Sequence, residues 1–412
     1  MIQFEEFTLD NGLEVIVHEE PDTEMAVVNL LYKVGSRDED PNKTGFAHLF
    51  EHLMFGGSKN VPSYDEPLQR VGASNNAFTS PDITNYYVTI PANNLETAFW
   101  LESDRMLSLS FDPKVLEVQR KVVIEEFKQR YLNQPYGDVW LKLRPLAYEQ
   151  HPYNWPTIGK EIAHIEDATM DDVRAFFGKY YAPNNAVLVV AGKVTVPQVK
   201  ALCEKWFAPI PAGTEVVRQY PKEGSHKGKK SITVNAAVPS SAIYKTYHMP
   251  ARDHADYYHF DMISDILGRG KSSRLYTELL QKEKAFNSIG CYVTGSMDPG
   301  LLVVSGKLTK DTTFEQAESL IDGVIADFLE QPLASEELQK VKNKAESSLV
   351  LSGAELLQRA TNLAYFKFLG NPDNINQEVD KIRAVEGDRL QAIAKEYLTD
   401  DNASVMYYQA QH

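Results

Sequence analysis

Cysteine is almost absent from this chain. Two residues in 412, Cys203 and Cys291, lie far apart and in no metal-binding or redox spacing. That excludes a disulfide framework and a thiolate metal site, and each thiol reads as a small apolar core residue in a reducing compartment. Long apolar runs are missing too, so no membrane-spanning helix is expected. The opening Met1-Ile2-Gln3-Phe4-Glu5-Glu6 has neither the basic start nor the apolar centre of a secretory signal, and a cytoplasmic location is expected. Positive charge is in the minority: 42 Lys and Arg against 57 Asp and Glu give a net charge of −15. This argues against a general nucleic-acid binder or a polybasic membrane patch, and it favours basic or neutral ligands over acidic ones. What remains is an ordinary globular composition, 43 % hydrophobic and 24 % charged. A chain of 412 residues is too long for one ordinary core and suggests at least two domains.

The pattern along the chain occurs twice. Asp172-Val173-Arg174-Ala175-Phe176-Phe177-Gly178-Lys179-Tyr180-Tyr181 has helical spacing and leads through Ala182-Pro183-Asn184-Asn185 into Ala186-Val187-Leu188-Val189-Val190-Ala191-Gly192, a buried strand. Near the C-terminus the same order returns, from Asp388 to Leu398, through Asp400-Asp401-Asn402, into Ala403-Ser404-Val405-Met406-Tyr407-Tyr408. Between the halves, residues 213–230 are rich in Gly, Lys and Ser and read as a linker. The expected division is residues 1–215, a linker at 216–230, and residues 231–412.

The most informative stretch is His48-Leu49-Phe50-Glu51-His52. Two histidines four apart lie one above the other on a helix face, so both rings reach one ion. Glu51 is placed to handle the proton of a water at that ion. This H-x-x-E-H order is the inverted form of the zinc-protease helix. Gly45-Phe46-Ala47-His48-Leu49-Phe50-Glu51-His52-Leu53-Met54-Phe55 is apolar nearly all round and stops at Gly56-Gly57. A buried helix that spends three positions on ionisable groups must neutralise them, and a metal does so. The plainer alternative is two core histidines bonded to neighbours beside a surface glutamate.

Two histidines do not complete a zinc site, which takes three protein ligands in catalytic examples. The long helix at 113–132, started by Asp112 and Pro113, supplies a candidate. Glu125 shares its face with Lys121, Lys128 and Gln129, a solvated surface. Glu126 has Val122 and Val123 one turn back, an apolar face on which a carboxylate needs a cation. Glu126 is therefore the third ligand candidate, the alternative being a helix-edge residue paired with Arg130. In the second half, Phe260-Asp261-Met262-Ile263-Ser264-Asp265-Ile266-Leu267-Gly268 repeats the helix with Asp261, Ser264 and Asp265 where the first half has His48, Glu51 and His52. One metal site per chain is expected.

With these residues the chain resembles the pitrilysin/insulinase family of inverted-zincin metallopeptidases, in particular its short members such as the mitochondrial processing peptidase beta-type subunit and bacterial homologues. The matching segments include Asn11-Gly12-Leu13-Glu14-Val15, Gly35-Ser36-Arg37, the histidine helix, Ser74-Asn75-Asn76-Ala77-Phe78-Thr79-Ser80, Thr84-Asn85-Tyr86-Tyr87, Val122-Val123-Ile124-Glu125-Glu126 and His151-Pro152-Tyr153. The resemblance implies an α+β fold of two repeated α/β sandwich units, each an antiparallel sheet with helices packed on one face, forming half of a clamshell. It implies one zinc ion per chain held by His48, His52 and Glu126, with Glu51 as general base. It implies that Asn76 and Ala77 belong to an edge strand that aligns an extended substrate by strand addition. The activity implied is zinc-dependent endopeptidase cleavage of unfolded peptides in an enclosed chamber; the alternative is a non-catalytic assembly subunit of the same family.

Two positions depart from the family pattern. A glutamate common two turns before the distal ligand is Gln119 here, which keeps hydrogen bonding beside the metal ligands and loses charge. In the second half, the arginine and tyrosine with which relatives clamp substrate align with Leu280 and Asn287. Arg269 and Tyr276 have the same separation but lie too early, in the glycine loop. The expected partners are accordingly a peptide substrate and a second chain, either a homodimer or a heterodimer with a homologous subunit that carries the clamp.

Overall fold

The computed structural model describes residues 1–224 and 227–411. Its residues gather into two compact units. The first holds Met1–Arg130, Trp155–Tyr220 and Val350–Gln377; the second holds Tyr131–Asn154, Pro221–Leu349 and Glu378–His412.

In the first unit, strands β1 (Glu5–Thr8), β2 (Glu14–Glu19), β3 (Met25–Tyr32), β4 (Ser74–Thr79), β5 (Thr84–Pro91) and β6 (Ala186–Gly192) form one sheet in the order β1-β2-β6-β3-β5-β4. In the second, β7 (Lys230–Ala236), β8 (Ala242–Met249), β9 (Phe286–Val293), β10 (Gly300–Leu308) and β11 (Ala403–Ala410) form the order β7-β11-β8-β10-β9. Without β1 the two orders are the same, strand for strand, so the repeat read from the sequence is a repeat of topology. The shared asparagine has a shared task. Asn185 Nδ2 donates to the Tyr180 carbonyl at 2.8 Å and to the Lys33 carbonyl at 3.3 Å; Asn402 Nδ2 donates to Tyr397 at 2.8 Å and to His248 at 2.9 Å. Each ties the end of a helix to the neighbouring strand just before the last strand begins.

The α+β architecture of two repeated units is present, with two differences of detail. The sheets are mixed: β6 runs parallel to β2, and β11 parallel to β7. The last strand of each repeat inserts between the first two, so it must be parallel to one and antiparallel to the other. Both faces of each sheet are covered, not one. β3 and β6 are almost entirely buried, as unbroken apolar runs require. On one face Ile16, Val27, Leu31, Val187, Val189 and Ala191 pack on Ala360, Leu363 and Ala364 of the helix Leu356–Phe368. In the second unit the helix Val139–Ala147 does the same through Val139 and Leu143, against Ala242, Met406 and Tyr408. Each covering helix comes from the half of the sequence that forms the other sheet. Burying one leucine, isoleucine or valine contributes about 1.5–3 kcal/mol, so a sheet face with five such residues cannot be left wet.

A division at one linker therefore does not describe the units, because residues 131–154 and 350–377 exchange places. The segment read as linker is irregular but pinned. Arg218 Nε and Tyr220 Oη donate to Asp38 Oδ1 at 2.9 and 2.6 Å within the first unit. In the second, the Glu223 carboxylate accepts the backbone N–H groups of Glu149, Gln150 and His151, each at 3.0 Å. Ser225 and His226 of that segment lie outside the described residues. Among the described residues no helix is long and apolar enough to cross a membrane.

Candidate metal centre

The histidine helix, Phe46–Leu53, begins at Gly45, whose φ of +91° and tight packing admit no side chain: a Cβ there would lie 2.6 Å from the Ile158 carbonyl oxygen. A glycine cannot cap a helix with a side chain, and Glu39 does so from six residues upstream. Its carboxylate accepts the N–H of Gly45 at 2.9 Å, of Ala47 at 2.8 Å and of the Trp155 indole at 3.0 Å. Burial pushes the Glu39 carboxyl up to about 8, with the three donors pulling the other way. Tyr86, fully buried in β5, donates its hydroxyl to the Phe50 carbonyl at 3.3 Å. The helix is thus held at its start and its middle by groups outside it.

On this helix the His48 and His52 rings stack, with centroids 4.9 Å apart and planes 15° apart. Their Nε2 atoms are 3.0 Å apart. Glu126 comes from the helix Pro113–Phe127, just before the helix widens into a π turn at Lys128–Leu132. Its Oε2 lies 3.3 Å from His48 Nε2 and 3.4 Å from His52 Nε2, and its Oε1 pairs with Arg130 at 2.9 Å. Glu125 points away, exposed, to Lys128 at 2.7 Å. Both readings of Glu126 therefore have a share in it, one oxygen for the histidines and one for Arg130.

The three facing atoms make a triangle with edges of 3.0, 3.3 and 3.4 Å. Donors 2.0–2.1 Å from a tetrahedral zinc stand roughly 3.3–3.5 Å apart, so the donor set fits that ion. Among the described residues this is the one group of three His, Cys, Asp or Glu ligand atoms gathered within 4.8 Å. The charge states fit as well. Burial, reinforced by the adjacent His52, lowers His48 to about 4, so its ring is neutral at pH 7 with a lone pair free. The hydrogen bond with His52 holds the Glu126 carboxyl below the usual range, against burial, and keeps it ionised.

Glu51 stands on the same helix. Burial raises its carboxyl, while Thr79 opposes this by donating Oγ1 to Oε2 at 2.6 Å. Asn76 and Ala77 lie in β4, the edge strand beside β5, paired opposite Tyr87 and Tyr86. The Ala77 amide is closed by the Asn76 Oδ1 at 2.8 Å. Gln119 sits two turns before Glu126, half-buried, with no side-chain hydrogen bond among the described residues. Leu280 lies in the π turn Tyr276–Lys282, and Asn287 Nδ2 donates to the Leu308 carbonyl at 2.9 Å. Glu39, Thr79 and Trp155 were not foreseen. Only Thr79 had a signal, since strand alternation puts it on the same face as Ala77.

The chain is similar to known proteins along most of its length. The family model described as "Insulinase (Peptidase family M16)" matches residues 14–159, and that described as "Peptidase M16 inactive domain" matches residues 167–345. Zinc protease PqqE of Helicobacter pylori is 29 % identical over 409 residues, covering 98 % of this chain and 92 % of the relative. A solved protease structure from Helicobacter pylori superposes with a TM-score of 0.94 at 28 % identity, covering 99 % of this chain and all of the other. Pitrilysin shares the fold, with a TM-score of 0.78 at 19 % identity; this chain is covered entirely and spans 45 % of pitrilysin.

Proposed function

The chain belongs to the insulinase, or M16, family of peptidases, and from that premise we propose that it is a zinc-dependent endopeptidase acting on unfolded peptides. The observation that carries the reading is the triangle of His48, His52 and Glu126 donor atoms, with Glu51 on the same helix as the two histidines.

His48, His52 and Glu126 would hold one zinc per chain. Bound there, zinc supplies a Lewis acid that polarises the scissile carbonyl and makes water a nucleophile near neutral pH. Glu51 takes the proton of the attacking water and returns it to the leaving amine. Its raised affinity for a proton suits both transfers. The edge strand aligns the substrate: an incoming peptide carbonyl replaces the Asn76 side chain on the Ala77 amide, and the peptide adds as a further strand. Such a mode reads backbone more than side chain and demands an extended chain. Gln119 lies on the Glu126 face, where its side chain makes no hydrogen bond to the site among the described residues.

The second chain is part of the proposal. Pitrilysin is about twice as long as this chain, and Leu280 and Asn287 offer neither the cation nor the phenol of a substrate clamp. We expect a dimer, with a related clamp-bearing subunit needed for full activity. A purely structural subunit has no use for a complete donor set, so this alternative rests on no feature of the first unit.

Metal analysis of the purified chain tests the reading. About one zinc per chain and hydrolysis of an unfolded peptide are expected, both lost in His48→Ala/His52→Ala. Stoichiometric zinc in that double variant would defeat the assignment. The mass of the same preparation in solution, alone and with a related subunit, tests the partner.

A further inference from the structure

Glu51 is not free to turn. One carboxylate oxygen, Oε2, accepts the Thr79 hydroxyl at 2.6 Å, which leaves Oε1 for proton transfer. Thr79 is the last residue of β4, two beyond Ala77, and shares its sheet face. The strand end that carries it is fixed. Thr79 pairs with Thr84, and the intervening turn is closed by Ser80 N–H to the Ile83 carbonyl at 2.8 Å. Ser80 Oγ accepts the N–H groups of Asp82 and Ile83, both at 3.1 Å, and Thr84 Oγ1 donates to the Val34 carbonyl at 2.9 Å.

We infer that Thr79 is a positioning residue: its hydroxyl sets the orientation of the Glu51 carboxylate from the same strand on which the peptide substrate aligns. The inference rests on the peptidase reading and deepens it. A general base works only when its oxygen meets the proton it removes, and a misplacement of about 1 Å costs on the order of a hundredfold. A peptide added to β4 takes its register from Ala77, and the base takes its orientation from Thr79. Scissile carbonyl and base are thereby referenced to one short rigid strand, although Glu51 itself lies on a helix 28 residues away in sequence.

Thr79→Val removes the hydroxyl and keeps the shape; Thr79→Ser keeps the hydroxyl and removes the methyl. Both are measured for zinc content, thermal stability, kcat and KM on an unfolded peptide. Thr79→Val is expected to lose at least about tenfold in kcat, with zinc content retained and KM within twofold, and Thr79→Ser to recover most of the loss. Adding Thr79→Val to Glu51→Gln should cause no further loss, because the hydroxyl acts through Glu51. An unchanged kcat in Thr79→Val, a loss confined to KM, or a Thr79→Ser variant as poor as Thr79→Val would overturn the inference and leave the peptidase reading standing. A zinc-loaded wild-type chain that cleaves no peptide would sink that reading and the inference with it.

Discussion

The histidine helix has a counterpart in the second unit, the helix Tyr257–Gly268. Each packs beside the outer hairpin of its sheet, β4–β5 in one unit and β9–β10 in the other. Both place ionisable side chains in a largely buried position, and they partner them in different ways. In the first unit two histidines and one carboxylate aim their donor atoms at a common point, and Arg130 pairs with the other oxygen of that carboxylate at 2.9 Å. In the second, Asp261 and Asp265 stand one turn apart, and the chain supplies the cations itself: Arg269 lies 3.0 Å from Asp265 and 3.6 Å from Asp261, and Lys344 lies 3.6 Å from Asp265. Burial raises both aspartates, and Arg269 opposes it in each case. Ser264, in the place of the base, donates only to the Asp261 carbonyl at 2.9 Å. A repeated scaffold thus keeps its helix while the side chains on it differ, converging donor atoms in one unit and aspartates paired with Arg269 and Lys344 in the other.

The comparison is most exposed to substitution at Glu51. Glu51→Gln should retain zinc and lose at least about a hundredfold in turnover, as expected for removal of a general base. Loss of the metal in that variant would make Glu51 a ligand and dissolve the division of roles. The next largest effect is expected at the third donor. Glu126→Gln should weaken zinc binding by more than the about tenfold that even outer partners of metal ligands cost. Glu125→Gln, exposed and turned to Lys128, should leave it within about twofold. The reverse order, read by competition with a chelator, would move the site to the wrong carboxylate.

The smallest effect sharpens the other side. Arg269→Gln removes the nearest cation from Asp265, whose side chain is 1 % exposed. It should lower stability by about 1–3 kcal/mol, the cost of a buried group left poorly partnered, with zinc content and turnover unchanged. Urea unfolding followed beside metal analysis reads both at once. Zinc loss in Arg269→Gln would show that the second unit's charge cluster is not independent of the metal centre.

Much of this was legible along the chain because it is local. The H-x-x-E-H spacing, the apolar helix around it, the solvated face of Glu125 against the apolar face of Glu126, and the helix–turn–strand that recurs at Asn185 and Asn402 are all periodic patterns over one or two turns. That Asp261 and Asp265 stand one turn apart on the counterpart helix was legible for the same reason, though their cations were not. Lys344 is 79 residues from Asp265, and no pattern joins them.

By itself, then, the sequence determined the helix that carries His48, Glu51 and His52, the apolar face that carries Glu126, and that the H-x-x-E-H motif occurs once in a chain built twice. Helical and strand periods act within a few residues, so they can be read without the fold. Only the tertiary structure decided that Glu126 meets both histidines at one oxygen, that Glu39, itself bonded by the Trp155 indole, caps the histidine helix, that Thr79 holds Glu51, and that the helices Val139–Ala147 and Leu356–Phe368 cover each other's expected sheets. Apart from the Glu39 cap, which is 6 and 8 residues from its partners, those contacts join segments tens to hundreds of residues apart. They are selected by which apolar faces need covering and which buried groups need partners, and neither need is written at any one place in the chain.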